Sequence, residues 1–138
     1  EKNFQPLVIA DRVSVRAPFH APRPDLQYEI VIMPRMSFGT GHHDTTALMI
    51  TNQLDIDHQG KRVLDMGCGT GILAVMAVHL GAASVLAVDV EPWTAENAAD
   101  NAQENHVQDR VEARLGDITA LAGVEPFAII LANINRNV

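Results

Sequence analysis

An α/β fold built on a parallel sheet is predicted by three features of this 138-residue chain. The first is the stretch Val63-Leu64-Asp65-Met66-Gly67-Cys68-Gly69-Thr70-Gly71, followed by an apolar segment over 72–80 and closed by Gly81; it reads as strand, tight turn and helix. The second is another apolar run over 83–88 that ends on Asp89, 22 residues beyond Gly67. The third is the succession of a helix and two more strands beyond Asp89, which completes a β-α-β-α-β-β alternation, the pattern of a parallel sheet with right-handed crossovers.

Before this unit, Leu7-Val8-Ile9, Val13-Ser14-Val15-Arg16 and Tyr28-Glu29-Ile30-Val31-Ile32-Met33 read as short strands separated by Pro18, Pro22 and Pro24 and stopped by Pro34. They are expected to pair as a small antiparallel lead-in, residues 1–35, beside a ligand-binding unit formed by 36–138. A glycine-punctuated loop, Met36-Ser37-Phe38-Gly39-Thr40-Gly41-His42-His43-Asp44, runs into an amphipathic helix over 47–54 that Asp44 or a nearby Thr would cap. This loop is expected to act as a lid or wall of the site. Its adjacent histidines point in different directions and no further ligands stand at a familiar spacing, so no metal is expected. Residues 55–61 form a polar linker. Glu91-Pro92-Trp93 opens an alanine-rich helix that runs to Asn105-His106, with proline tolerated in the first turn. Val111-Glu112-Ala113-Arg114-Leu115 alternates as a third strand of the main sheet, and 127–132 is continuously apolar, as a strand buried on both faces should be.

The glycine turn carries the functional reading. Glycines at 67, 69 and 71 allow backbone angles that a side chain would forbid and let a ligand lie against the chain at a helix N-terminus, where N–H groups are unpaired. The spacing is G-x-G-x-G; with Ile72 where a dinucleotide fingerprint needs its third glycine, and with no G-x-x-x-x-G-K-[ST], a nicotinamide site is disfavoured and a P-loop excluded. Asp89 stands where a nucleotide-binding unit places the carboxylate that accepts two ribose hydroxyls; the plain alternative is an acid at a helix N-terminus. Asp117 either meets an adenine edge or is a turn aspartate. Asp65, the glycines, Asp89, Asp117 and Asn133 all fall at the carboxyl ends of strands, where open α/β sheets bind ligands.

Composition bounds the rest. With 47% apolar residues the chain is long enough for one core, and no apolar run is long enough to span a bilayer. The start carries no basic stretch followed by an apolar one, as a secretion signal would. Cys68 is the single cysteine and fits a reducing, cytoplasmic setting; it is read as a small packing residue and not a nucleophile. A net charge of −7 argues against a nucleic-acid-binding face on this segment.

Asp-x-Gly-x-Gly-x-Gly over 65–71, with an acid after the next strand, resembles the class I methyltransferases that use S-adenosylmethionine. Ser37-Phe38-Gly39-Thr40-Gly41-His42-His43-Asp44-Thr45-Thr46, Asp65-Met66-Gly67-Cys68-Gly69-Thr70-Gly71-Ile72-Leu73, Glu104-Asn105-His106-Val107 and Ala132-Asn133-Ile134 together resemble the PrmA family over residues 28–138. The resemblance implies a Rossmann-like sheet with helices on both faces and methylation of lysine or N-terminal amino groups on the eleventh protein of the large ribosomal subunit. It implies cofactor contacts at Thr46, Gly67, Asp89 and Asn133, with Phe38, Gly39 and Thr40 lining or covering the cofactor. Family members add an N-terminal recruiting domain and further strands, so the sheet is expected to be incomplete at its C-terminal side and to associate through an exposed edge. Asn135-Arg136-Asn137 departs from the Asn-Ile-Leu continuation of many members.

Asn133 is the expected catalytic residue, its side-chain carbonyl accepting hydrogen bonds from the incoming amine. Methyltransferases of planar amides or nucleobases carry prolines and an aromatic after the fourth strand, which Asn133-Ile134-Asn135-Arg136 lacks. A small-molecule methyltransferase and a non-catalytic cofactor- or partner-binding fragment are the alternatives.

Overall fold

The structure is a computed structural model that describes residues 5–33 and 43–133. In chain order these form β1 (Leu7–Ile9), β2 (Val13–Arg16), β3 (Tyr28–Val31), α1 (His43–Leu54), β4 (Arg62–Met66), α2 (Ile72–His79), β5 (Ser84–Asp89), α3 (Pro92–Glu104), β6 (Val111–Leu115), a 3-10 turn (Ile118–Leu121) and β7 (Ile129–Ala132). The strands expected from their apolar runs are all present. Helix α1 begins earlier than expected and takes in Asp44, which lies in its first turn.

Strands β4 to β7 form one parallel sheet in the order β6-β5-β4-β7. Chain direction across the sheet steps from β4 to β5 to β6 and then returns to the other side of β4. Successive crossovers in one direction place their helices on one side, and α2 and α3 do share a face: Val63, Val85, Ala87 and Leu131 join Ile72–Ala77, Ala98 and Ala102 in one core. The opposite face, with Leu64, Leu86 and Val88, is covered among the described residues by Leu121, Val124 and Phe127 from the 3-10 turn and the segment after it. The resemblance implies an α-helical layer on both faces; among the described residues it is present on one.

Helix α2 has no polar stripe because it has no wet side. Its residues from Ile72 to Ala77 are buried between the sheet, α1, α3 and the lead-in. The lead-in is a three-stranded sheet in which β1 and β2 form the expected antiparallel hairpin, while β3 joins β2 in parallel. The 17–27 passage returns the chain to the starting end of β2, a path that the sequence pattern does not specify. Ile9, Val13, Val15, Ile30 and Ile32 pack into the same core as α2. His79 at the end of α2 donates its Nε2–H to the Glu29 carbonyl at 3.0 Å, and its burial lowers its pKa.

Candidate functional site

The expected site residues converge because the four strands end together. Met66, the last residue of β4, sits in register with Val88 of β5 and Ala132 of β7, and Asp89 is in register with Leu115 of β6. Beyond those positions the backbone stays joined. Gly67 N–H donates to the Val88 carbonyl at 2.8 Å, Asn133 N–H to the Met66 carbonyl at 3.3 Å, and Gly116 N–H to the Asp89 carbonyl at 2.8 Å. Gly67, Asp89, Asp117 and Asn133 therefore occupy one rim, and Asp65 lies buried just behind it in β4. The strand order reverses between β4 and β7, so the glycine loop and Asn133 flank the crevice where such sheets take their ligands.

The glycine loop is shaped by two different constraints. Gly71 has φ +85°, and a Cβ there would lie 3.0 Å from Cβ and 3.1 Å from Cα of Ala98; this glycine lets α2 and α3 touch. Gly69 has φ +52° and nothing within 4 Å of where a Cβ would stand, so its bare backbone borders open space at the rim. Asp89 Oδ2 accepts the Gly69 N–H at 2.9 Å and Oδ1 accepts the Glu91 N–H at 3.1 Å. Asp89 thus does the plain job of tying a loop and a helix start, and each oxygen keeps a lone pair for a further donor such as a ribose hydroxyl.

Asp65 is fully buried, and neither of its oxygens has a hydrogen-bond partner among the described residues. Burial pushes its pKa up to about 7, the neighbouring Asp89 charge adds to the rise, and the Ala74 amide opposes it without reaching hydrogen-bonding geometry. Such a group favours a cationic or hydrogen-donating neighbour. The Cys68 thiol, buried in the same loop and near the same two acids, is pushed far above the ordinary thiol range, which removes it as a nucleophile at neutral pH.

Asp117 caps the 3-10 turn: its Oδ1 accepts from the Thr119 N–H at 2.9 Å and from the Thr119 hydroxyl at 2.6 Å. Those bonds hold its pKa below the usual carboxylate value. Sequence reasoning missed two apolar neighbours of these acids. Val90, next to Asp89, is 48% exposed, and Ile118, next to Asp117, is 71% exposed. Exposed aliphatic side chains beside two acids on one rim suit a planar base. The signal available in the sequence was an apolar residue directly after each strand-end acid. Thr46 is buried in the first turn of α1, which packs on α2, and it does not lie at a strand end. Phe38, Gly39 and Thr40 lie outside the described residues, as does His42 of the histidine pair. Among the described residues no group of three or more His, Cys, Asp or Glu side chains could hold a metal ion.

A four-stranded parallel sheet in this order, with a glycine loop after its first strand and an acid after its second, is the Rossmann-like fold of the class I methyltransferases. The family model described as ribosomal protein L11 methyltransferase (PrmA) matches residues 1–138, and the chain belongs to that family. A protein of Porphyromonas gingivalis named ribosomal protein L11 methyltransferase is 52% identical over 139 residues, covering 100% of this chain and 48% of the relative. The crystal structure of ribosomal protein L11 methylase from Lactobacillus delbrueckii subsp. bulgaricus superposes with a TM-score of 0.81 at 28% identity, over 95% of this chain and 66% of that one. A Trypanosoma brucei PRMT1 enzyme–prozyme complex with AdoHcy matches 54% of this chain and 23% of its own at 33% identity and a TM-score of 0.51. The chain spans about half the length of the curated relatives it matches.

Proposed function

We propose that residues 36–138 are the cofactor-binding part of an S-adenosylmethionine-dependent N-methyltransferase, which acts in the cytoplasm on lysine or N-terminal amino groups of a large-subunit ribosomal protein. The names of its relatives support the acceptor, and the AdoHcy-bound neighbour supports the cofactor. The observation that carries the reading is the convergence of the glycine loop, Asp89 and Asn133 on the crevice where the strand order reverses.

The residues at the rim fit a nucleoside that carries positive charge. Asp89 has lone pairs for the ribose hydroxyls; Val90 and Ile118 offer apolar surface to the base, with Asp117 at its edge; the bare backbone at Gly69 admits close approach of the remainder, with Gly67 beside it and Gly71 holding the loop against α3. Asp65, buried behind the loop and near the Asp89 charge, has no partner among the described residues, and a cation bound at the rim would favour its ionised form. Phe38, Gly39, Thr40 and Thr46 are assigned to the wall of the same site on the family resemblance.

When bound, S-adenosylmethionine supplies a methyl group already activated on a sulfonium, so the protein's work is positioning and exclusion of water. Asn133, fixed to the end of β4 through its backbone, holds the incoming amine with its side-chain carbonyl and aims the nitrogen lone pair. A free lysine has a pKa of about 10.4, and a partly dry site beside a cation lowers it toward the working pH. The segment is not expected to bind nucleic acid directly, and none of the described helices is long and apolar enough to cross a membrane. The outer strand β7 offers the edge through which the isolated segment is expected to self-associate, which sedimentation of that segment would show.

Mass spectrometry of ribosomal proteins incubated with the full-length enzyme and S-adenosylmethionine tests the acceptor. Methyl groups on amino groups of a large-subunit protein support it; cofactor binding with no ribosomal protein modified overturns it and leaves the small-molecule alternative.

A further inference from the structure

Helix α3 and the residue that caps its C-terminus carry asparagines at 97, 101 and 105, four residues apart and so on one face, with a rise of about 6 Å between neighbours. Alternate residues of a strand are separated by about 6.6 Å, and their backbone groups point to the same edge. Two of the asparagines use this match to pair with β3 and its continuation as a further strand would. Asn105 accepts the Val31 N–H at 2.7 Å through Oδ1 and donates to the Val31 carbonyl at 2.6 Å through Nδ2. Asn101, fully buried, accepts the Met33 N–H at 2.9 Å through Oδ1.

Asn101 then does something Asn105 does not. Its Nδ2 donates to the Thr70 carbonyl at 2.9 Å, inside the glycine loop. The N–H of the same peptide unit, that of Gly71, donates to the Cys68 carbonyl at 2.8 Å. The plane of the Thr70–Gly71 peptide is thereby held at both ends. Without that hold, Gly71 at φ +85° is a residue able to follow a rotated peptide, because glycine carries no side chain to forbid it.

We propose that Asn101 is a positioning residue for the cofactor loop, fixing the Thr70–Gly71 peptide so that the Gly67–Gly71 turn presents one geometry to the ligand. The proposal rests on the reading that this loop binds S-adenosylmethionine. Asn105, one turn further on, belongs to the attachment of β3 and not to the loop.

The test compares Asn101→Asp with Asn105→Ala in the full-length protein, measuring S-adenosylhomocysteine affinity by calorimetry beside the thermal unfolding midpoint. Asn101→Asp keeps an acceptor for Met33 and, once its buried carboxyl ionises, has no donor for Thr70, so affinity is read from about pH 6 to about pH 9 and the loss is expected to grow with pH. About tenfold weaker binding is expected, with Asn105→Ala lowering the midpoint while its affinity stays within about twofold of wild type. Equal affinity losses in the two variants, or none in Asn101→Asp, overturn the proposal. Wild-type hydrogen exchange serves even where Asn101→Asp does not fold. Ligand binding is expected to slow exchange at the Met33 amide through Asn101, and an unchanged Met33 rate contradicts the proposal. Wild type that binds no S-adenosylhomocysteine overturns the cofactor reading, and this proposal with it.

Discussion

The Asp89 carboxylate accepts the Gly69 backbone N–H at 2.9 Å, so the acid placed to meet a ribose also ties down the loop placed to meet the rest of the ligand. One side chain thus couples the ends of β4 and β5, and its removal has two separable effects. Asp89→Ala is expected to weaken S-adenosylhomocysteine binding by about 100-fold or more, from lost charge-assisted hydrogen bonds. It should also cost about 1–2 kcal/mol of stability, because the Gly69 and Glu91 amides lose their acceptor. Calorimetry beside denaturant unfolding reads both; unchanged affinity would remove the ribose assignment.

Two alanine substitutions in the same loop should behave oppositely. At Gly69 the added methyl meets open space, so the fold should survive at a cost of about 1–2 kcal/mol for the left-handed backbone, while ligand affinity collapses. At Gly71 the methyl meets Ala98 at 3.0 Å as well as carrying backbone strain, so a larger loss, about 3 kcal/mol, is expected in unfolding experiments. Equal stability losses at the two positions would contradict the division of labour between them.

Asp65 sets a pH dependence whose sign is fixed by its burial. Its folded-state pKa stands near 7 against an ordinary 3.8. Between those values the native state keeps a proton that the unfolded chain has lost, so this group makes stability fall as pH rises, by up to about 1.4 kcal/mol per pH unit. Asp65→Asn removes the titration, and its stability between pH 5 and 7.5 should slope less steeply downward than that of wild type. Parallel curves for the two proteins would show that Asp65 is ionised throughout.

Asn133 should separate binding from turnover. The Asn133→Ala variant keeps its backbone bond to Met66 and loses the side-chain carboxamide, its carbonyl and its NH2 together. S-adenosylhomocysteine affinity is expected to fall less than about tenfold while kcat falls by about 100-fold or more. Unchanged turnover on a protein amine would end the acceptor role.

The parts of this fold that could be read from the chain are those with a local cause. Apolar runs marked β4, β5 and β7, glycines marked the turn, and strand-end acids marked the rim. Even the burial of Asp65 was available in principle, since residues two apart in a strand share a face and Val63 is core. What escaped has a non-local cause. Asn101 and Asn105 look like ordinary polar residues of an alanine-rich helix, and only the packing of α3 against β3 turns their amides into strand partners. The parallel pairing of β3 with β2 depends on the path of the proline-rich 17–27 passage. Val90 and Ile118 look like strand and turn residues until the rim leaves them exposed.

Titration of the full-length protein with S-adenosylhomocysteine, beside NAD and beside the Asp89→Ala variant, tests the central claim most directly. Saturable binding of S-adenosylhomocysteine to wild type is expected, with none of NAD, and with loss of the first in the variant. Binding of NAD in preference, or S-adenosylhomocysteine binding that Asp89→Ala leaves intact, would show that the rim formed by β4, β5 and β7 is not the cofactor site.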